Sequence, residues 1–359
     1  MIIYSAIAAS TMLSSWFGCM GQWQMMHWLV IGVQCVMLIV IVCCTHHFRF
    51  MNLPMYGIDW ASMGLWGAFF AQLTYLLTYG EFYNWFSSDV IWTLSGTTLA
   101  TFSIILGRMV NIRHPFISAS VFTNFPRVKL VYLLVVLVGG ILSAEHVLEE
   151  IFLEEGLKYG TTTRSSLTWF SWGGNILGCL FALVWMKNVS SYTYVRQGIV
   201  ASVVLAAYVI LMYLLITPSL NIEALYLPLV CRGFAQSCFA VLFLTSLQEL
   251  IVFQVFFQGL FIYQLLNMVI GGCIGSALYG YGLRYFVADA LAYNPELVSH
   301  IEGGTLIAAK TIYGWLAYVA LALVASFLLF DSPLRRDNPH LMQPWKFVGR
   351  QLQKRITQS

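Results

Sequence analysis

The sequence predicts an all-α protein, a polytopic bundle of about ten helices that span a membrane. Hydrophobic residues make up 59% of the 359 residues and charged residues only 9%, which is too few charges to cover a soluble domain of this size. Apolar runs recur along the whole chain, and most approach the ~20 residues that cross a ~30 Å hydrocarbon core. Aromatic residues reach 16%, as expected of the belts at the two membrane surfaces.

Taken in order, the apolar runs predict ten spans. The first is short and rich in Ser, Thr and Ala. Asp59 stands just before the third span, where its carboxylate is predicted to cap the helix. The spans are Ile2–Phe17, Trp23–Cys44, Trp60–Tyr79, Val90–Gly107, Leu130–Phe152, Leu167–Met186, Ile199–Ile216, Leu225–Leu247, Phe256–Tyr281 and Thr311–Phe330.

The distribution of Lys and Arg predicts the orientation of these spans. Thirteen of the 18 Lys and Arg residues fall on the same side as Met1, and four fall on the opposite side. Because cytoplasmic loops carry the excess of basic residues, both termini are predicted to be cytoplasmic, in the inner (plasma) membrane of the cell. Four acids cluster on the outer side, namely Glu149, Glu150, Glu154 and Glu155.

A long cytoplasmic link, Arg108 to Lys129, divides the chain. Four predicted spans precede it and six follow it. Residues 129–331 are therefore predicted to form a complete six-span bundle, and residues 332–359 a basic cytoplasmic tail. Judged by span count alone, the six could form two three-helix units, the inverted repeat of many secondary transporters.

The stretch Leu225–Leu283 carries the most informative polar residues. Arg232 lies inside an apolar run, where a charge costs roughly 2.5–3.5 kcal/mol near the bilayer centre. It either binds an anionic group or carboxylate along a pathway, or snorkels to the outer headgroups. The next span carries polar residues and then glycines that allow close helix packing, namely Gln264, Asn267, Gly271, Gly272 and Gly275. This combination indicates a water-accessible path through the bundle.

Glu145 lies towards the outer end of its span. It is either a proton-coupling carboxylate, because burial raises the pKa of such a group, or a wetted interfacial residue. Asn175 and Asn267 are polar residues within spans. They are either hydrogen-bond donors and acceptors between helices or substrate ligands.

Neither a metal site nor a cofactor is predicted. The eight cysteines lack metal-type spacing, and His146, Glu149 and Glu150 do not form the HExxH pattern of a membrane metalloprotease. The sequence has no P-loop either, so transport would draw on a cation gradient rather than on a nucleotide. The predicted partners are the lipid bilayer, a small solute, and protons or another cation, with no nucleic acid.

Several stretches together resemble the fourteen-span drug:proton antiporters, the EmrB-type branch of the major facilitator superfamily. They occur in the family's order and at similar distances, and the resemblance covers essentially the whole chain from Gly57 onward. They are GIDW at 57–60, GEFYNWFSS at 80–88, HPFISASVFTNFPRV at 114–128, CRGFAQSCF at 231–239 and GGCIGSALYG at 271–280.

The resemblance implies a major-facilitator-like fold that lacks about the first four spans of the family. Residues 1–45 would then be the last two spans of an incomplete N-terminal bundle, and residues 46–128 two extra linker spans with cytoplasmic loops. The first and fourth helices of each bundle line the central cavity in this family. Glu145 and Arg232, each ~10 Å deep at 1.5 Å per residue, are therefore expected to face one cavity and to pair.

The sequence thus predicts a secondary active transporter and not an enzyme. The expected activity is export, or multidrug efflux by antiport, of a small and amphipathic drug-like solute. The first alternative is an inactive or truncated remnant of such a transporter, because one complete bundle cannot alternate by itself. A lesser alternative is an integral membrane enzyme acting on lipid. Such an enzyme would need clustered His, Asp or Ser groups at one depth.

Overall fold

A computed structural model describes residues 13–44, 59–80, 82–112, 115–118, 121, 126–187, 193–217, 220–251, 253–293 and 301–337. Within these ranges the chain forms helices and short turns, and no strand. Six of the described helices are long and apolar enough to cross a membrane. The predicted all-α, polytopic membrane bundle is therefore confirmed. Most of the first predicted span and the tail after residue 337 lie outside the described residues.

The helices are numbered here in chain order, after a short helical segment at residues 13–19. They are α1 (Trp23–Cys44), α2 (Trp60–Tyr79), α3 (Asp89–Asn111), α4 (Pro126–Leu142), α5 (Thr161–Lys187), α6 (Thr193–Leu215), α7 (Tyr226–Leu250), α8 (Phe253–Leu265), α9 (Gly275–Tyr293) and α10 (Ile301–Asp337).

Three π-helical stretches widen the helices at particular points. Two of them, Glu145–Glu149 and Phe152–Gly156, extend α4 well beyond Leu142. The third, Leu266–Ile274, joins α8 to α9, so that these two helices form one long element, α8–α9. Because π-helical turns shift the faces on which later side chains project, they re-aim residues that an α-helical spacing would place elsewhere.

Helices α2 and α3 form a hairpin that packs beside the six-helix bundle. The backbone N–H of Ser62 donates to the Asp59 carboxylate at 3.1 Å, so the predicted N-cap is confirmed. Within the hairpin, the rings of Phe69 and Phe102 stack with centroids 5.1 Å apart. Residues of α2 also contact the π-helical stretch between α8 and α9.

The six helices from α4 onward pack as two equivalent three-helix units. The first unit is α4, α5 and α6, and the second is α7, α8–α9 and α10. The contacts between α5 and α7 correspond to those between α8–α9 and α4, and the contacts between α6 and α7 correspond to those between α10 and the extension of α4. When the two units are exchanged, the contact between α6 and α10 is replaced by itself, and so is the contact between α4 and α7. Most of these contacts are kept when the units are exchanged, which is the pattern of an approximate inverted repeat, but α9 packs against α10 far more extensively than α5 packs against α6.

Helices α5 and α7 approach each other closely because glycines face each other across their interface. A Cβ atom at Gly174 would overlap the backbone of Val230, and one at Gly233 would overlap the backbone of Ser171. Four residues after Gly174, a Cβ at Gly178 would lie 2.5 Å from the Phe234 carbonyl oxygen. This is the small-xxx-small packing through which membrane helices bring their backbones together.

We predict that Gly174→Ala destabilises the folded protein by about 1–3 kcal/mol, because the added methyl group meets the backbone of α7 and not a movable side chain. Gly173→Ala is the matched control. A Cβ at Gly173 meets nothing within 4 Å, so this variant should be neutral or slightly stabilised. Unfolding midpoints of the purified variants test the prediction. Equal stability of the two variants would contradict close packing at Gly174.

Candidate functional site

A buried ion pair lies between the first helices of the two units. Nη1 of Arg232 donates to Oε2 of Glu149. The two side chains are only 3% and 8% exposed, respectively. A charge removed from water in this way is strongly disfavoured unless an opposite charge neutralises it. Each residue of the pair therefore supplies the opposite charge that the other needs in its apolar surroundings.

The positions of the two residues along their helices show how the units meet. Arg232 lies early in α7, which begins at Tyr226. Glu149 lies towards the far end of the first helix of its own unit, where a π-helical turn extends α4. Because Arg232, near the start of α7, contacts Glu149, near the end of the extended α4, the two helices run antiparallel. Their ends at this side of the membrane are joined through the ion pair.

Two buried tyrosines from the third helices of the units complete this cluster. Tyr208 of α6 and Tyr313 of α10 are both fully buried. The phenol of Tyr313 lies within electrostatic range of Tyr208, Glu149 and Arg232. Four helices, α4, α6, α7 and α10, thus carry buried polar side chains that are close enough to influence one another electrostatically. We call these four side chains the buried polar cluster.

A second carboxylate occupies the corresponding position at the opposite end of the bundle. Glu249 lies 23 residues after Tyr226, the start of α7, just as Glu149 lies 23 residues after Pro126, the start of α4. Its Oε1 accepts a hydrogen bond from the Tyr194 hydroxyl of α6 at 2.5 Å. Each unit therefore carries one hydrogen-bonded or ion-paired carboxylate towards the end of its first helix.

The ends of the helices carry more exposed charge pairs. Nη1 of Arg164, at the start of α5, lies 2.7 Å from Oε2 of Glu154 and 3.6 Å from Oε1 of Glu150. These two carboxylates are 59% and 60% exposed, so water screens their attraction to Arg164. Pairs of this kind contribute about 0–1 kcal/mol each.

Asp59 and Arg108 join the start of α2 to the end of α3. Nη2 of Arg108 lies 2.7 Å from Oδ1 of Asp59, and its Nε donates to the Ser62 hydroxyl at 2.9 Å. Desolvation acts to raise the pKa of Asp59, but hydrogen bonds from Ser62 and Arg108, together with the Arg108 charge, outweigh it and lower this pKa below its usual value. The carboxylate therefore stays ionised and holds the hairpin ends together.

The predicted site residues occupy three kinds of environment. Asn175 is buried against α7, and its Oδ1 has no hydrogen-bond partner. Gln264 and Asn267 lie on the exposed surface of α8–α9. The side chain of Glu145 and the surroundings of Gly271 lie outside the described residues, so the pairing of Glu145 with Arg232 stays a prediction.

The two other predicted packing glycines differ in their surroundings. A Cβ at Gly275 would overlap the Ser143 hydroxyl of the segment that follows α4. Gly272 has open space where its side chain would be. Gly275 therefore allows α9 to lie against α4, whereas Gly272 takes part in no comparable approach.

Glu149 falls among the outer acids in the sequence, so sequence reasoning misses it as a partner of Arg232. The apolar run predicts a span that ends at Phe152, which leaves Glu149 within one turn of the surface. In the structure the helix continues to Gly156 through two π-helical turns. The sequence carries no clear signal of this position, because residues 145–149 are π-helical and the α-helical spacing of four residues does not apply to them.

Within the part of the chain that the structure describes, no group of three or more His, Cys, Asp or Glu side chains could hold a metal ion. Comparison of the sequence with models of known protein families and with curated proteins found no match.

We predict that Arg232→Gln and Glu149→Gln each destabilise the protein by about 3–5 kcal/mol, because each leaves the other charge buried without its ionic partner. Arg164→Gln is the comparison, since its two carboxylate partners are more than half exposed and return to water when the cation is removed, so this variant should lose clearly less stability. Equilibrium unfolding in lipid–detergent micelles measures all three. Equal losses for Arg232→Gln and Arg164→Gln would contradict a buried ion pair.

Proposed function

We propose that this protein is a secondary active transporter of the major facilitator type, which moves a small solute across the membrane at the expense of a cation gradient. The observation that carries the proposal is the combination of two inverted three-helix units with a charged pair buried between them. Membrane proteins rarely retain ionisable residues within their spans, and those retained often mark ion or substrate pathways.

The symmetry of the bundle supports this class of function. Secondary transporters are commonly built from inverted repeats, and alternate access follows when one repeat or bundle rocks against another. A six-helix bundle that moved as one rigid body could not alternate by itself, so we propose that the moving parts here are its two three-helix units, which the ion pair joins. In this protein several of the main helix contacts correspond between the two units. The resemblance of the sequence stretches to the drug:proton antiporters favours the same interpretation, and it favours export of an amphipathic solute.

The buried polar cluster supplies a chemical step for such a cycle. A proton delivered to Glu149, or an anionic group delivered to Arg232, would compete with the ion pair between α4 and α7. Competition of this kind weakens the contact between the two units, because an ion pair loses its Coulomb attraction when one partner is neutralised. We propose that release and re-formation of this pair accompany the transport cycle.

We further propose that the protein lies in the inner (plasma) membrane with both termini in the cytoplasm, on the basis of the basic residues. In a cysteine-free background, Lys158→Cys should react with a membrane-impermeant maleimide added outside intact cells. Lys354→Cys should react only after the membrane is permeabilised. Labelling of position 354 in intact cells, without labelling of position 158, would reverse the proposed orientation.

Transport itself is tested with the purified protein in liposomes. With a pH gradient imposed, we expect flux of fluorescent amphipathic cations above that of protein-free liposomes, and loss of this flux when an ionophore collapses the gradient. Arg232→Gln should lower the rate by on the order of tenfold or more, because it removes the cation of the buried pair. Lys158→Gln, in an exposed turn, should transport like the wild type.

Absence of flux across a broad panel of solutes and gradients would contradict the proposal, provided that the protein is inserted and folded. That outcome would favour the alternative of an inactive remnant of a transporter. The unfolding midpoint of the same reconstituted sample establishes that the protein is folded.

A further inference from the structure

A groove opens on the surface of the bundle between α6 and α10. It has a volume of about 470 Å³. Its lining combines one basic residue, a hydroxyl group, three aromatic side chains and small or apolar residues. The lining residues are Tyr213, Ile307, Lys310, Thr311, Gly314, Trp315, Ala317 and Tyr318.

Lys310 is the charged residue of this groove. Its Nζ lies 5.5 Å from the centroid of the Tyr213 ring, on the neighbouring helix α6. No carboxylate of the described ranges lies within ion-pair distance of it. A lysine at this position is therefore stabilised by an aromatic face, but its charge remains available to an anion.

Lys310 lies at the edge of the apolar run of α10, directly before Thr311, where the sequence predicts the tenth span to begin. Tyr213 lies two residues before α6 ends at Leu215. Both residues are thus close to the membrane surface, where Lys and Tyr side chains meet the polar headgroups.

The lower part of the groove exposes an aromatic wall to the membrane interior. Trp315 and Tyr318 follow Lys310 by about one and two turns of α10, and their side chains are 63% and 72% exposed. The neighbouring small residues Gly314 and Ala317 also line the groove and leave room in it. This wall has the length and the apolar character to lie along an acyl chain.

We propose that this groove binds an anionic phospholipid, with its phosphate on Lys310 and an acyl chain along Trp315 and Tyr318. The positive charge selects an anionic headgroup, and basic pockets between membrane helices are known to hold such lipids. A soluble anion would satisfy Lys310 but would leave the aromatic wall uncovered. The inference is independent of whether the protein transports a solute.

Native mass spectrometry of the purified full chain tests the proposal. The probes are phosphatidylglycerol and phosphatidylcholine with identical acyl chains. We expect the wild type to retain phosphatidylglycerol preferentially and Lys310→Gln to lose about fivefold of that affinity, as for one basic residue near a lipid surface. Lys158→Gln, which removes a lysine from an exposed turn, should bind like the wild type.

Three further measurements distinguish a bound lipid from misfolding of the variant and from a simple anion site. Lys310→Arg should keep the preference for phosphatidylglycerol, which controls for misfolding of the glutamine variant. Trp315→Ala with Tyr318→Ala should weaken retention of both lipids. Equal phosphatidylglycerol binding by wild type and Lys310→Gln would overturn the proposal. Displacement of the lipid by inorganic phosphate alone would also overturn it, because the groove would then be an anion site without a role for the acyl chain.

Discussion

The ion pair between Arg232 and Glu149 is the interaction on which the organisation of the bundle depends. Neither charge is tolerated in an apolar interior without a partner, and the two residues come from helices α4 and α7, the first members of the two three-helix units. The pair can form only when the units meet in a single register. Burial of the charges thus restricts how α4 and α7 can pack, which apolar contacts alone would leave less specified.

Other features of the bundle support the register in which α4 packs against α7, and further polar groups lie in the same bundle. Glycines bring α5 against α7, and π-helical turns extend α4 until Glu149 reaches the level of Arg232. A second carboxylate, Glu249, lies near the end of α7 and accepts a hydrogen bond from the hydroxyl of Tyr194. The first helix of each unit thus carries one partnered carboxylate towards its end.

Much of the fold follows from composition and apolar periodicity. The helices Trp23–Cys44 and Trp60–Tyr79 have the bounds that their apolar runs predict, and Arg232 was identifiable because it interrupts such a run. Its partner was not, because the position of Glu149 depends on π-helical turns that change the helical spacing. The close approach at Gly174 was equally hidden, since many spans contain glycine and only the packing of α7 distinguishes this one.

The central claim is that Arg232 and Glu149 stabilise each other across the two units. A double-mutant cycle on the free energy of unfolding tests it most directly, with Arg232→Gln, Glu149→Gln and the variant that carries both. The account predicts that the double variant is no less stable than either single variant, with a coupling energy on the order of 2 kcal/mol or more. Additive losses from the two substitutions, with no coupling, would contradict it.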